Sequence, residues 1–268
     1  MNKEIVQLFD LTGQVAVITG GVRHLGFDAA SILAAAGCDV AITSRDLVRS
    51  EESARKLRQK YSTDALPIQM DQACHTDVSA AVRRVRDWKG RIDILVNNAG
   101  GSTNHGATRL FDRKAQDIDE LIRVNLTGMI YCCREFGALM AERRSGSIIN
   151  IASIAGLVGR DRRMYDRAGM RGQPVDYAAA KAGVIGLTRD LAAFLGPMGI
   201  RVNAVSPGGF ARELSPEFVK DYSDRTPLGR MARDGIDIKG AILFLACPAA
   251  DYVTGHNLVV DGGFSTWQ

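Results

Sequence analysis

Along the chain, short apolar, β-branched runs alternate with longer stretches in which apolar positions recur at helical spacing. The runs Val15–Thr19, Asp39–Thr43, Ala65–Met70, Ile92–Asn97, Ser147–Ala152, Ile200–Ser206 and Asn257–Val260 predict seven strands. Their near-continuous hydrophobicity predicts burial on both faces, as in a parallel sheet. Leu25–Ala36, Leu47–Tyr61, Asp77–Trp88, Asp117–Glu142, Val175–Leu195 and Gly235–Cys247 predict the intervening helices, several bounded by Gly or Pro. Strand then helix, six times over, with one final strand, predicts an α/β fold: a doubly wound, mostly parallel seven-stranded sheet with helices on both faces. No repeat, low-complexity tract or Pro/Ser linker divides residues 1–268, so one domain is expected. Two long connections, Ser153–Pro174 and Pro207–Asp234, leave the carboxyl ends of strands, where doubly wound sheets bind ligands.

Composition adds mainly exclusions. With 46% apolar and 24% charged residues in 268, the chain has enough apolar material for a sizeable core. Its net charge of +4 is spread among interleaved acids, which argues against nucleic acid. The most basic stretch, Arg160 to Arg171, contains Tyr165 as its only aromatic, so it suits a small anion better than stacked bases. Cys38, Cys74, Cys132, Cys133 and Cys247 form no Cys-x-x-Cys and no metal spacing with histidine. A reduced, metal-free cytoplasmic protein is expected, with no membrane segment.

Thr19-Gly20-Gly21-Val22-Arg23-His24-Leu25-Gly26 joins the first strand to the first helix. Gly20, Arg23, His24 and Leu25 thereby become candidates for holding a pyrophosphate over a helix N-terminus. At the end of the second strand, where an acid would bind a ribose 2′-hydroxyl, stand Ser44 and Arg45. Together with Arg23 they point to a 2′-phosphate and so to NADP(H), the alternative being two solvated surface arginines. Tyr177-Ala178-Ala179-Ala180-Lys181 opens a helix with its two functional side chains one turn apart. An ammonium so close is expected to lower the phenol's pKa and make Tyr177 a usable acid/base.

The octet resembles the Thr-Gly-x-x-x-Gly-x-Gly turn of the short-chain dehydrogenase/reductase family, with His24 standing where the family has a glycine. Either that imidazole covers the phosphates or it faces solvent. Asp71 and Gln72 resemble the family's adenine pocket, and Asn97-Asn98-Ala99-Gly100 matches its Asn-Asn-Ala-Gly turn, adding Asn98, Ala99 and Gly100 to the cofactor set. Pro207 and Gly208 resemble its Pro-Gly turn beside the nicotinamide; Arg212 stands about where the usual downstream Thr would be. The resemblance implies a dinucleotide-binding half over about 12–145 and a catalytic half over about 146–268. It also implies four catalytic residues: Tyr177 as acid/base, Ser153 bonding the substrate oxygen, Lys181 tuning Tyr177 and gripping the nicotinamide ribose, and Asn125 holding a water that links Lys181 to solvent. No metal is implied, and a homo-oligomer, often a tetramer, is expected. Several segments resemble gluconate 5-dehydrogenase-type members, which suggests a sugar acid, polyol or keto-sugar as substrate. A 3-oxoacyl-acyl carrier protein reductase is the alternative; a catalytically silent NADP(H)-binding regulator would show a broken Ser/Tyr/Lys set, and this set is intact.

Between Ser153 and Tyr177 lie 23 residues, where the family has roughly a dozen. They include Arg160, Arg162, Arg163, Arg167 and Arg171. Because both ends of the segment are expected at one substrate oxygen, at least one arginine is expected to face the pocket and bind a substrate anion. A solvated loop, an oligomer contact and a carrier-protein docking patch are the other readings.

Overall fold

The structure, a computed structural model, describes residues 2–101 and 106–267. Seven parallel strands form the main sheet: β1 (Val15–Thr19), β2 (Asp39–Ser44), β3 (Ala65–Gln69), β4 (Ile94–Asn97), β5 (Gly146–Ile151), β6 (Ile200–Pro207) and β9 (Asn257–Val260). Their order is β3-β2-β1-β4-β5-β6-β9. The winding reverses between β1 and β4, and a crevice opens there beyond the carboxyl ends. A second ribbon pairs the two-residue strands β7 (Phe210–Ala211) and β8 (Ala232–Arg233).

Alternation along β1 sorts the core into two layers. Ala16 and Ile18 pack with Ala30 and Leu33 of α2 (His24–Ala35), Leu57 of α3 (Leu47–Lys60) and Ile242 of α10 (Lys239–Ala246). Val15 and Val17 face the other way, with Val85 of α4 (His75–Lys89), Phe136 of α6 (Gly128–Arg143) and Val184 of α8 (Val175–Leu195). Burial on both faces explains why the strands read as continuous apolar runs.

The structure departs from the sequence expectation in four places. α1 (Lys3–Phe9) buries no residue, so no apolar stripe announces it. The helix expected over Asp117–Glu142 is instead α5 (Ala115–Ile122), a π-turn at Arg123–Thr127 and α6. The connections hold α7 (Arg163–Arg167) and α9 (Pro216–Asp224), the latter capped by Ser215 with Pro216 at its first position. Finally, α10 starts at Lys239 and not Gly235, because Gly235 has φ 78 and its N–H is bound by Asp28.

Candidate active site

The turns after β1 and β4 are stitched into one surface. A Cβ on Gly26 would run into the Gly20 carbonyl oxygen and the Asn98 amide, so only glycine lets α2 approach this closely. Asn98 Nδ2 donates to the carbonyls of Thr19 and Gly20, both at 3.0 Å. Thr19 Oγ1 in turn accepts from the N–H groups of Asn98 and Ala99, again at 3.0 Å. Gln72 Nε2 ties in Ala99 O (2.8 Å) and Val124 O (2.7 Å). Asn125, fully buried in the π-turn, accepts from Gly101 N (2.9 Å) and donates to Gly101 O and Leu121 O (3.0 Å each).

This surface faces a helix end suited to an anion. The N-cap of α2, Arg23, offers no side-chain cap, and the first turn holds no acid. Gly21 N–H bonds Thr43 O, joining the turn to the β2 end that carries half-buried Ser44 and exposed Arg45. Exposed Arg23 lines a cavity of about 280 Å³ with His24, Ser53, Lys56 and Asp234. Close-packed glycines, an uncapped helix and basic flanks fit a pyrophosphate with a further phosphate nearby.

The chemical groups meet where β5 and α8 converge. Ser153 caps a 3₁₀ turn at Ile154–Gly156 by accepting from Ala155 N at 3.1 Å. A Cβ on Gly156 would lie 2.6 Å from Ala182 N, so glycine permits this turn to rest on the α8 backbone beside Lys181. Ser153 thereby comes within hydrogen-bonding reach of the Tyr177 phenol. Tyr177 and Lys181 are both buried. Lys181 Nζ lies 5.7 Å from the Tyr177 ring centre and donates to Ile151 O at 2.7 Å. Burial without a carboxylate partner drops the lysine's pKa to about 8. Burial pushes the phenol up, against the Ser153 hydroxyl and the Arg160 guanidinium. The first turn of α8 is anchored by a buried ion pair, Arg113 Nη2 to Asp176 Oδ2 at 2.5 Å.

Beside this group lies a pocket of about 90 Å³ whose walls come from the two long connections. Arg160, Tyr165 and Gln173 line it from one, Gly208, Gly209 and Tyr222 from the other, and Phe264 from the C-terminal segment. Tyr222 stacks on Phe264 at 4.3 Å, and its hydroxyl accepts from Gly209 N at 2.7 Å.

Comparison with known proteins agrees with this geometry. The family model described as enoyl-(acyl carrier protein) reductase matches residues 20–265. A 3-oxoacyl-[acyl-carrier-protein] reductase from Synechocystis sp. is 37% identical, over 94% of this chain and 97% of that protein. An NADP-dependent mannitol dehydrogenase from Hypocrea jecorina is 34% identical, over 98% and 96%. The crystal structure of a gluconate 5-dehydrogenase from Burkholderia cenocepacia, in complex with NADP and tartrate, superposes with a TM-score of 0.88 at 33% identity, covering 98% of this chain and 100% of that one.

The chain belongs to the short-chain dehydrogenase/reductase family.

As a member of that family it is an oxidoreductase of alcohol and keto groups. The structure brings Ser153, Tyr177 and Lys181 together, and it overturns one expectation, the direction of the Tyr177 shift. The side chain of Asn125 bonds Gly101 and Leu121 and so shapes the turn. Gln72, just past β3, is a buried tie to Ala99 and Val124, and Asp71 sits half-buried beside it, accepting from Ala73 N. Tyr177 is raised and not lowered, because burial outweighs the charges around it in this oxidoreductase.

The remaining cofactor candidates lie around the crevice. Leu25 is half-buried in the first turn of α2, next to His24, which has φ 51, a left-handed conformation glycine adopts freely. The His24 imidazole stands 3.6 Å from Asp234, which also binds Arg212. Gly100 has φ 136 and lies against Asn125. Pro207 ends β6, and Gly208 N bonds Val260 O at 3.0 Å. Sequence reasoning missed Thr19 as a tie, the Arg113–Asp176 anchor, and Gln173, Tyr222 and Phe264 as pocket walls. The Ser215-Pro216 helix start was a usable signal for Tyr222, but nothing local marks Arg113.

Proposed function

We propose that the protein is an NADP(H)-dependent oxidoreductase interconverting a carbonyl and a secondary alcohol on a small sugar acid, polyol or keto-sugar. The observation carrying this reading is the grouping of half-buried Ser153 with buried Tyr177 and Lys181 beside the pocket. The NADP-dependent mannitol dehydrogenase and the NADP-bound gluconate 5-dehydrogenase among the relatives support the cofactor and the substrate class.

Gly20, Leu25, Asn98, Ala99 and Gly100 would shape the dinucleotide seat, with Asp71 at the adenine end, Arg23, Ser44 and Arg45 toward the 2′-phosphate, and Pro207 and Gly208 beside the nicotinamide. When bound, the cofactor supplies or accepts a hydride at the substrate carbon. Ser153 donates a hydrogen bond to the substrate oxygen. In reduction Tyr177 Oη gives its proton to that oxygen, and in oxidation it takes one away. The protonated phenol is the form that donates in reduction, and oxidation would start from the phenolate, which burial disfavours. Lys181, held by Ile151 O, would grip the nicotinamide ribose.

The reading extends to a cytoplasmic homo-oligomer, tetrameric by family resemblance. The test is a fluorescence titration with NADPH and NADH, followed by assays on sugar acids, polyols, keto-sugars and 3-oxoacyl thioesters. Tighter NADPH binding and turnover of a polyhydroxy substrate are expected. Equal or tighter NADH binding would overturn the cofactor assignment, and turnover of thioesters alone would transfer the assignment to acyl carrier protein reduction.

A further inference from the structure

The basic segment after Ser153 resolves into arginines with very different surroundings. Arg163 chelates Asp161 through Nε (2.7 Å) and Nη2 (2.9 Å) and is otherwise exposed. Arg167 pairs with Asp221. Exposed Arg162 donates to the Gln173 carbonyl at 3.0 Å, and Arg171 is exposed. Arg160 alone among them lines the pocket. Its Nη1 donates to Gln173 Oε1 at 2.5 Å, the Tyr165 phenol lies beside it, and its guanidinium carbon stands 5.8 Å from the Tyr177 ring centre. That is the same reach as the Lys181 ammonium at 5.7 Å.

No ion pair among the described residues involves Arg160. The acid in the pocket wall, Asp161, is already neutralised by Arg163 and by Arg225 at 2.5 Å. A guanidinium has five N–H donors, and here its partners are an amide and a phenol, both uncharged. A half-buried cation without a counter-ion is costly unless an anion arrives to complete it. A carboxylate matches its planar fork with two parallel hydrogen bonds.

We propose that Arg160 is the specificity-determining residue of the substrate pocket, binding a carboxylate carried a few bonds from the reacting carbon, so that the preferred substrate is a short polyhydroxy or keto acid and not the corresponding neutral polyol. The proposal rests on the oxidoreductase reading above and narrows it to one chemical class. It also explains the lengthened segment after Ser153, which delivers one arginine to the site while Arg163 and Arg167 are paired with acids.

The experiment uses gluconate and sorbitol, which share a six-carbon polyhydroxy chain and differ in the carboxylate at C1. Each is titrated calorimetrically into the full-length protein saturated with NADPH, and each is assayed with NADP⁺. The wild type is expected to bind gluconate more tightly and to show a higher kcat/KM on it. Arg160→Ala and Arg160→Gln should reduce the gluconate-over-sorbitol ratio by about ten- to a hundredfold, the range for a charge-assisted hydrogen bond. Arg160→Lys should recover part of that ratio, since it restores charge without the fork. Circular dichroism and NADPH affinity verify that each variant is folded. A purely structural Arg160 would lower both substrates alike and leave the ratio intact, which overturns the proposal. Wild-type preference for sorbitol, or for a 3-oxoacyl thioester, overturns it while sparing the oxidoreductase reading. Failure to bind NADPH removes that reading and the proposal with it.

Discussion

At the cofactor end of the crevice, the turns after β1 and β4 are held by hydrogen bonds that Thr19, Gln72, Asn98 and Asn125 make to main-chain atoms. At the substrate end, the walls are held by ion pairs, such as Asp161 with Arg163 and Arg225, and by rings, Tyr222 on Phe264 and Tyr165 against Phe218. Main-chain ties with close-packed glycines tolerate little movement, because a slip leaves buried polar groups unpaired. Partly exposed ion pairs and ring contacts rearrange at lower cost. The difference suits one end to a constant dinucleotide and the other to a particular substrate. Tyr177, Lys181 and Ser153 lie on the seam between them.

The largest expected effect tests the seam. Tyr177→Phe removes the transferable proton, so turnover should fall by ~10²–10⁴-fold, whereas NADPH affinity should stay within about twofold because the stitched turns do not depend on the phenol. Retention of more than about a tenth of wild-type turnover would place the acid/base elsewhere, with Tyr165 the next group to test.

Next comes the buried lysine. Lys181 has its folded pKa at about 8, below the ordinary 10.5. Below pH 8 folded and unfolded chains both carry the proton, and the full burial cost is present. Between pH 8 and 10.5 the folded lysine loses its proton first, and the cost fades as pH rises. Lys181→Met should therefore be inactive but more stable than wild type at pH 7, by up to about 3 kcal/mol. That advantage should shrink toward pH 10. Urea unfolding of both proteins at the two pH values checks it, and a constant difference would show that the ammonium is not the source.

A matched pair of substitutions addresses the two ends directly. Gly26→Ala places a methyl group against the Gly20 carbonyl and should cost about 1–3 kcal/mol of stability, together with a large loss of NADPH affinity. Asp161→Asn loosens the pocket wall and should raise KM a few-fold while leaving NADPH affinity and the melting temperature nearly unchanged. Limited proteolysis should then cut the segment over 158–174 faster than in wild type. Equal damage to cofactor binding from both would mean that the two ends are mechanically one unit.

The smallest expected effect concerns His24. In His24→Gly, relief of the left-handed strain and the added freedom of the unfolded chain oppose each other, leaving a change within about 1 kcal/mol. NADPH affinity should change less than tenfold, because the imidazole is turned toward Asp234. A greater loss in the same fluorescence titration would show that the ring covers the phosphates after all.

Local sequence was enough for the strand–helix order, the sheet, and the glycine turn with Asn97-Asn98-Ala99-Gly100, because main-chain geometry depends on nearby residues and on periodicity. The Tyr177–Lys181 spacing likewise follows from one turn of helix. Tertiary structure alone decided which loop arginine enters the pocket, since that depends on partners distant in sequence: Asp221 for Arg167, and Arg225 for Asp161, the acid that also holds Arg163. It also decided that Asn125 and Gln72 act as ties and that Tyr177 is raised, because hydrogen-bond partners and solvation exist only once remote segments pack. The residue pattern thus determined the frame and the reacting groups, while long-range burial and charge pairing determined how those groups are tuned.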